Sequence, residues 1–380
     1  MADKKSQHYV PQFYLRGFSL EKSDRLIALY NIPTDTYVPC ASIKKQACRD
    51  NFYKSLMIED SLAVVEGAAS TIIRDLITKA NAPTFRSQER YSLLLFCLFQ
   101  AYRTPWKAEE ANELTDKVIK LMASGNPVLQ EHLDEVEAGW DNPVGTVLKK
   151  IAFAHHVAYD LRFKVLVNET AIPFITSDNP AILYNQFLER RDKIGGHTGL
   201  AVKGLQLLLP LSPRLCLMFF DEKVYRVGGK RLTHIFEQIC EHDVYQLNYL
   251  QAASAYENLY FSERCSAELV RKISRKALQW RRDNKAQVDT YVDSAQNTLC
   301  HAYSANIRTG LNLTVVEELP SAKGYQLGDR VTHLRNPLLC KLHHDFIQQV
   351  EQGKYKLSQF GRFILENIGL EEARQLEIPE

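Results

Sequence analysis

A handful of polar side chains in this 380-residue chain stand where the surrounding pattern calls for apolar ones. Glu66 falls between Leu62 and Ala69 on a helical stripe that continues through Ile73 and Leu76, so its carboxylate points at the core. A carboxylate there must be protonated, paired with a cation or bound to metal. Gln100 and Arg103, three apart, make the last turn of an otherwise apolar helix polar. Arg103 could complete a buried pair with Glu66, or its planar fork could hold a phosphate or carboxylate ligand. His8 and Arg16 bracket an aromatic-rich stretch, His8-Tyr-Val-Pro-Gln-Phe-Tyr-Leu-Arg-Gly-Phe18. Asp178 ends a strand in Ser177-Asp-Asn-Pro180, either as a functional carboxylate or as ordinary turn chemistry.

Buried polar groups need partners, and one another are the nearest supply. His8, Arg16, Glu66, Gln100, Arg103 and Asp178 are therefore expected around one pocket. His8, Glu66 and Asp178 would act as base or metal ligands, with Glu66 and Asp178 holding Mg²⁺ or Mn²⁺. Arg16, Gln100, Arg103 and Asn179 would contact the substrate, the two arginines facing phosphate charge.

Other signals are weaker. His155 extends an apolar stripe with Leu148, Ile151 and Tyr159 and reads as a core residue. Cys340-x-x-His343-His344-Asp345 has one cysteine and no second Cys/His pair near enough to close a zinc set, so zinc is not expected. Phosphate-binding glycine loops, His-Glu-x-x-His and Gly-x-Ser-x-Gly do not occur in the sequence. The segment from Glu263 to Lys285 is rich in Lys and Arg, with Leu269, Val270, Ile273, Ala277 and Trp280 as its apolar stripe. It reads as a solvated face, or as a nucleic-acid contact through Arg271, Lys272, Arg275 and Arg282.

The elements that must position these residues fall into separate blocks, which predicts an α+β fold. A mainly helical N-terminal half (helical block 55–160) packs on a mostly antiparallel sheet (strand-rich block 161–262). The basic helix over 263–285 completes a core of 1–286, and 287–380 forms a small C-terminal extension. Leu205–Leu209 and Leu215–Phe220 are joined closely enough to be antiparallel neighbours. A helix is expected from about Thr233 to Ala253, and Gln287–Ala305 reads as a boundary with little pattern.

Composition is that of an ordinary globular protein, 45% hydrophobic and 24% charged, with a net charge of +2 that gives no global pull on nucleic acid or membranes. The longest apolar run, Leu93–Phe99, is far short of the ~20 residues of a spanning helix, and no apolar signal core opens the chain. Eight cysteines without a Cys-x-x-Cys pair suggest reduced thiols and a cytoplasmic location.

The opening stretch resembles the start of a bacterial family known as domain of unknown function 4238, which begins His-x-x-Pro-x-x-Tyr-Leu-Arg-x-Phe. His8, Pro11, Tyr14, Leu15, Arg16 and Phe18 match it. Gln100-x-x-Arg103-Thr-Pro105, Ser177-Asp-Asn-Pro180 and Pro210-Leu-Ser-Pro213 resemble further motifs of that family. The resemblance implies a family and no chemistry. From the residues themselves the expected function is hydrolysis of a phosphate-containing substrate, with a metal-dependent nuclease as the leading form. The alternative is a non-catalytic regulatory module that binds a ligand or partner.

Overall fold

The computed structural model describes residues 6–21, 23–124, 137–191, 195–229, 234–263, 265–292, 298–325 and 333–375. Four strands come first: β1 (Ser6–His8), β2 (Leu26–Asn31), β3 (Thr36–Ser42) and β4 (Cys48–Asp50). β1 pairs antiparallel with β4, setting His8 opposite Cys48. β2 and β3 form a hairpin whose turn is closed by the Asn31 side chain accepting from the Thr34 N–H at 3.1 Å.

Four long helices follow: α1 (Leu56–Lys79), α2 (Gln88–Tyr102), α3 (Pro105–Ala123) and α4 (Pro143–Ala154). Their starts follow from local chemistry. Ser87 caps α2 and Asn142 caps α4, each accepting a backbone N–H, and proline opens both α3 and α4. Leu62, Ala69, Ile73 and Leu76 are the buried stripe of α1, and α2 is buried on nearly every side.

The strand-rich part comprises β5 (Arg162–Asn168), β6 (Thr176–Ser177), β7 (Ile182–Tyr184), β8 (Gln206–Ser212), β9 (Leu215–Phe220), β10 (Tyr225–Val227) and β11 (Phe236–Ile239). Helix α5 (Glu241–Ser254), strand β12 (Asn258–Phe261) and helix α6 (Ala267–Ala277) come next. Two sheets result, a five-stranded one in the order β11-β5-β9-β8-β7 and a four-stranded one in the order β3-β2-β12-β6. β8 and β9 are antiparallel neighbours, and only β11 on β5 runs parallel among these pairs. The fold is α+β.

The largest apolar cluster joins α1, α2 and the five-stranded sheet, and a second lies between the four-stranded sheet and α5–α6. The region expected as a single helix from about Thr233 instead begins with β11, whose apolar residues pair with β5 before α5 starts. The supposed boundary at 287–305 is a hairpin, β13 (Ala286–Val292) with β14 (Thr298–Ser304), held on α3 by Lys117 donating to the Ala286 carbonyl at 2.7 Å. Beyond it, β15 (Val316–Glu318) pairs with β10, and Leu311, Leu313 and Val316 join the main core. The residues that carry a core of their own are α7 (Pro337–Glu351) and α8 (Phe360–Gln375, kinked at Gly369), which meet the rest through His156 and Tyr159.

Candidate active site

The opening motif is first an anchor. Pro11 starts a one-turn helix, Gln12–Leu15, that buries Tyr14 and Leu15. The Tyr14 hydroxyl donates to the Pro210 carbonyl of β8 at 2.6 Å and accepts from Thr176 of β6 at 2.7 Å, so one side chain ties both sheets together. Gly17 lies against β8 so closely that a Cβ would stand 2.3 Å from the Leu211 carbonyl oxygen.

His8, on β1, and Glu66, on α1, face one cleft of about 470 Å³, with Lys44, Tyr53 and Glu59 also on its wall. His8 Nε2 lies 3.1 Å from the Lys44 carbonyl. A carbonyl only accepts, so Nε2 carries the proton and Nδ1 keeps its lone pair. Burial pushes the His8 imidazole below its ordinary pKa, opposed by the Lys44 carbonyl and the nearby Glu66 charge. His8 is thus neutral near pH 7.

Glu66 is held from behind. Its Oε1 accepts from Arg103 Nη1 at 2.5 Å, and the remaining face of that guanidinium donates to Gln100 Oε1 at 2.9 and 2.7 Å. Gln100 in turn donates to the Tyr9 carbonyl at 3.0 Å. Arg103 is 1% exposed and the Glu66 side chain 28%, so the cation is sealed in the core while the carboxylate reaches the cleft. Glu66 Oε2 has no hydrogen-bond partner among the described residues. Tyr53 donates its hydroxyl to the His8 carbonyl at 2.9 Å, and burial raises its pKa to about 12. Gln7 braces the same wall, accepting from the Tyr53 N–H and donating to Glu59.

Of the six residues expected around one pocket, His8 and Glu66 face the cleft with Arg103 and Gln100 behind Glu66, whereas Arg16 and Asp178 lie elsewhere, as does Asn179, expected at the substrate. Asp178 is fully buried, with both oxygens filled by the backbone N–H groups of Tyr256, Glu257 and Asn258 at 2.7, 2.9 and 2.8 Å. Burial lifts its pKa to about 6 while those three donors pull it down. It fixes the turn between α5 and β12 and is not on the wall of the cleft that His8 and Glu66 face. Asn179 donates to the Ser254 carbonyl at 2.9 Å. Its Oδ1 has no hydrogen-bond partner, and Asn179 lines with Ser254 a cavity of about 60 Å³, room for roughly two waters. Arg16 is exposed and lines a different cleft with Ser212 and Arg214.

The expected pairing of Glu66 and Asp178 on a divalent cation therefore does not fit, because Asp178 is fully buried, engaged by backbone N–H groups on both oxygens, and absent from the lining of the Glu66 cleft. No group of three His, Cys, Asp or Glu side chains suited to a metal occurs among the described residues. On α7, His343 instead bonds the Phe153 carbonyl at 2.7 Å.

Helix α6 turns its stripe of Val270, Ile273 and Ala277 inward. Arg271 and Arg275 grip Asp35 at the β2–β3 turn, at 2.8 and 3.2 Å. Lys272 is exposed, and Arg282, beyond the helix, is exposed on a separate pocket. Tyr53, Gln7, Glu59 and Lys44 were not singled out from sequence as site residues. A signal for this wall lies in the crowding of polar and aromatic residues over Cys48–Tyr53.

No curated protein and no solved structure matches the chain. The anchor, the cleft and the Glu66–Arg103–Gln100 assembly all fall within residues 6–264, the span that matches the family described as protein of unknown function (DUF4238), and the chain belongs to that family.

Proposed function

We propose that the protein is a hydrolase acting on a phosphate-containing substrate, with the His8–Glu66 cleft as its acid–base centre. The observation that carries this reading is a neutral imidazole and a clamped carboxylate with one open oxygen on the wall of the same cleft. In this mechanism His8 Nδ1 takes a proton from a water as the water oxygen bonds to phosphorus. Glu66 Oε2 accepts the second hydrogen of that water and orients it, while Arg103 keeps the carboxylate from swinging away. The Lys44 ammonium, at the exposed rim, meets the phosphate charge. The ester P–O bond breaks, and the departing oxygen takes its proton from solvent. No step passes through a metal.

Nucleic acid heads the substrate panel because α6 exposes Lys272 and Lys276, cations that phosphate backbones favour. The reading assigns the protein to the cytoplasm, where its eight free cysteines stay reduced.

The test is turnover of bis(p-nitrophenyl) phosphate, DNA and RNA by the full chain, with Mg²⁺, Mn²⁺ or EDTA. His8→Gln and Glu66→Gln should each abolish turnover in a folded protein. The pH–rate profile should rise along a base limb whose midpoint lies below the ordinary 6.5 of histidine, since burial depresses the His8 pKa. Absence of turnover across the panel, or full activity in both variants, sinks the proposal. The Glu66–Arg103 ion pair favours a second reading, a binding module whose cleft holds a ligand without converting it. Ligand binding at the cleft without turnover would select it.

A further inference from the structure

At the base of the β13–β14 hairpin lies a cavity of about 450 Å³ that shares no lining residue with the His8–Glu66 cleft. Three guanidinium groups line it, Arg281, Arg282 and Arg308, against one carboxylate, Asp283. The arginines come from two separate segments of chain. Arg281 follows the end of the α6 region, and its guanidinium is fixed by the carbonyls of Ala252, Ala255 and Tyr256 at 3.1, 2.7 and 2.9 Å. Arg308 arrives after β14 and has Nη2 3.2 Å from Nε2 of the buried His197. A guanidinium only donates, so that imidazole nitrogen accepts and His197 is neutral.

Arg282, Asn284 and Gln287 have no side-chain hydrogen bond or ion pair to other described residues, which leaves one charged and two neutral donor groups available on the wall. Gly195, Tyr303, Ala305 and Asn306 complete the lining. Gly195, at φ +98°, approaches His301 so closely that a Cβ would meet the ring at 2.7 Å. Fixed cations and unused amide donors together suit a compact, multiply charged anion. The volume lies within the ~300–1,000 Å³ of small-molecule sites.

We propose that this pocket binds a small phosphate-bearing molecule. It does not rest on the hydrolase reading, since no residue is common to the two cavities. The occupant is a free phosphate compound of about mononucleotide size, because the cations converge on a concavity instead of tracking along a stripe.

The experiment is calorimetric titration of the full chain with pyrophosphate, adenosine 5′-monophosphate, succinate and a single-stranded oligonucleotide. Pyrophosphate and the mononucleotide should bind with a strong salt dependence, and succinate more weakly. Arg282→Gln, at an exposed side chain whose loss leaves the fold intact, should weaken phosphate binding about tenfold or more. Asn284→Ala combined with Gln287→Ala should weaken it further, and His8→Gln should leave it unchanged. Three results would each overturn the proposal: no binding of either phosphate probe at millimolar concentration, binding indifferent to Arg282→Gln, or an oligonucleotide that binds at least tenfold tighter than the mononucleotide and loses that advantage in Arg282→Gln. The last would make the pocket a contact for a polymer backbone.

Discussion

Removing the Glu66 carboxylate strands a guanidinium in the core. Arg103 is 1% exposed, so Glu66→Ala leaves its charge without a counterion, with only the Gln100 side-chain oxygen to receive it. Breaking a buried pair from one side costs about 3–5 kcal/mol. Because Glu66 itself touches solvent, water replaces part of the lost partner, and about 3 kcal/mol is expected. Urea denaturation should show the shift for Glu66→Ala and a smaller one for Glu66→Gln, which can still accept from Nη1. An unchanged midpoint for Glu66→Ala would mean that Arg103 does not depend on this pair. The polar break in an apolar stripe was readable in the sequence, whereas Arg103 stood there equally as partner of Glu66 and as a ligand for phosphate or carboxylate, and the ion pair decides for the first. Asp178 was misplaced for a physical reason: a carboxylate at a strand end looks the same whether it faces substrate or caps a turn. Only the three N–H groups of the Tyr256–Asn258 turn, distant in sequence, decide between them.

Among elements, the long helices and the β8–β9 pair were legible because periodicity and caps are local signals. The β13–β14 hairpin and β11 were not, since short strands gain their stability from partners that sequence proximity does not reveal. The C-terminal helices meet the body at an aromatic seam. His156 packs 4.5 Å from the Phe360 ring and 3.9 Å from His155, and its Nε2 bonds the Leu357 carbonyl at 3.2 Å. Burial holds His155 down to about 4 and His156 to about 2, and lowers His343 beside them. Unfolded imidazoles titrate near 6.5, so on acidification the unfolded chain takes up protons first. The stabilising effect of these neutral rings is complete above about pH 6.5 and declines from there toward about pH 4. Urea midpoints measured between pH 7.5 and 5 should fall with pH, and less steeply in His156→Phe. Equal slopes for the two proteins would show that the seam does not titrate.

At the scale of the whole molecule, the C-terminal third has two different attachments. Residues 286–318 supply a hairpin, a strand of a two-stranded sheet and core side chains, while 337–375 add a helical pair with its own cluster. Arg335 closes the body just before that pair, donating to Asp160 and to the carbonyls of Val157 and Leu200. Ending the chain after Asn336 should leave a cooperative melt at reduced temperature, whereas ending it after Arg308 should abolish the transition by circular dichroism. Cooperative folding of the shorter product would show that β15 and Leu311–Leu313 are dispensable. The Tyr14 clamp reaches partners 162 and 196 residues further along, which sets a timetable for synthesis. As the polypeptide leaves the ribosome, β1 can pair with β4 and β2 with β3 early, but the Tyr14 clamp cannot close until Pro210 has emerged, and β2 waits longer still for β12. The nascent N-terminal segment therefore lacks its β8 and β12 partners, and Leu15, Phe18 and Ile27 lack their full cover, through more than half of translation. That interval is when chaperones have their access to this protein, and when a pause upstream of Pro210 would do the most harm.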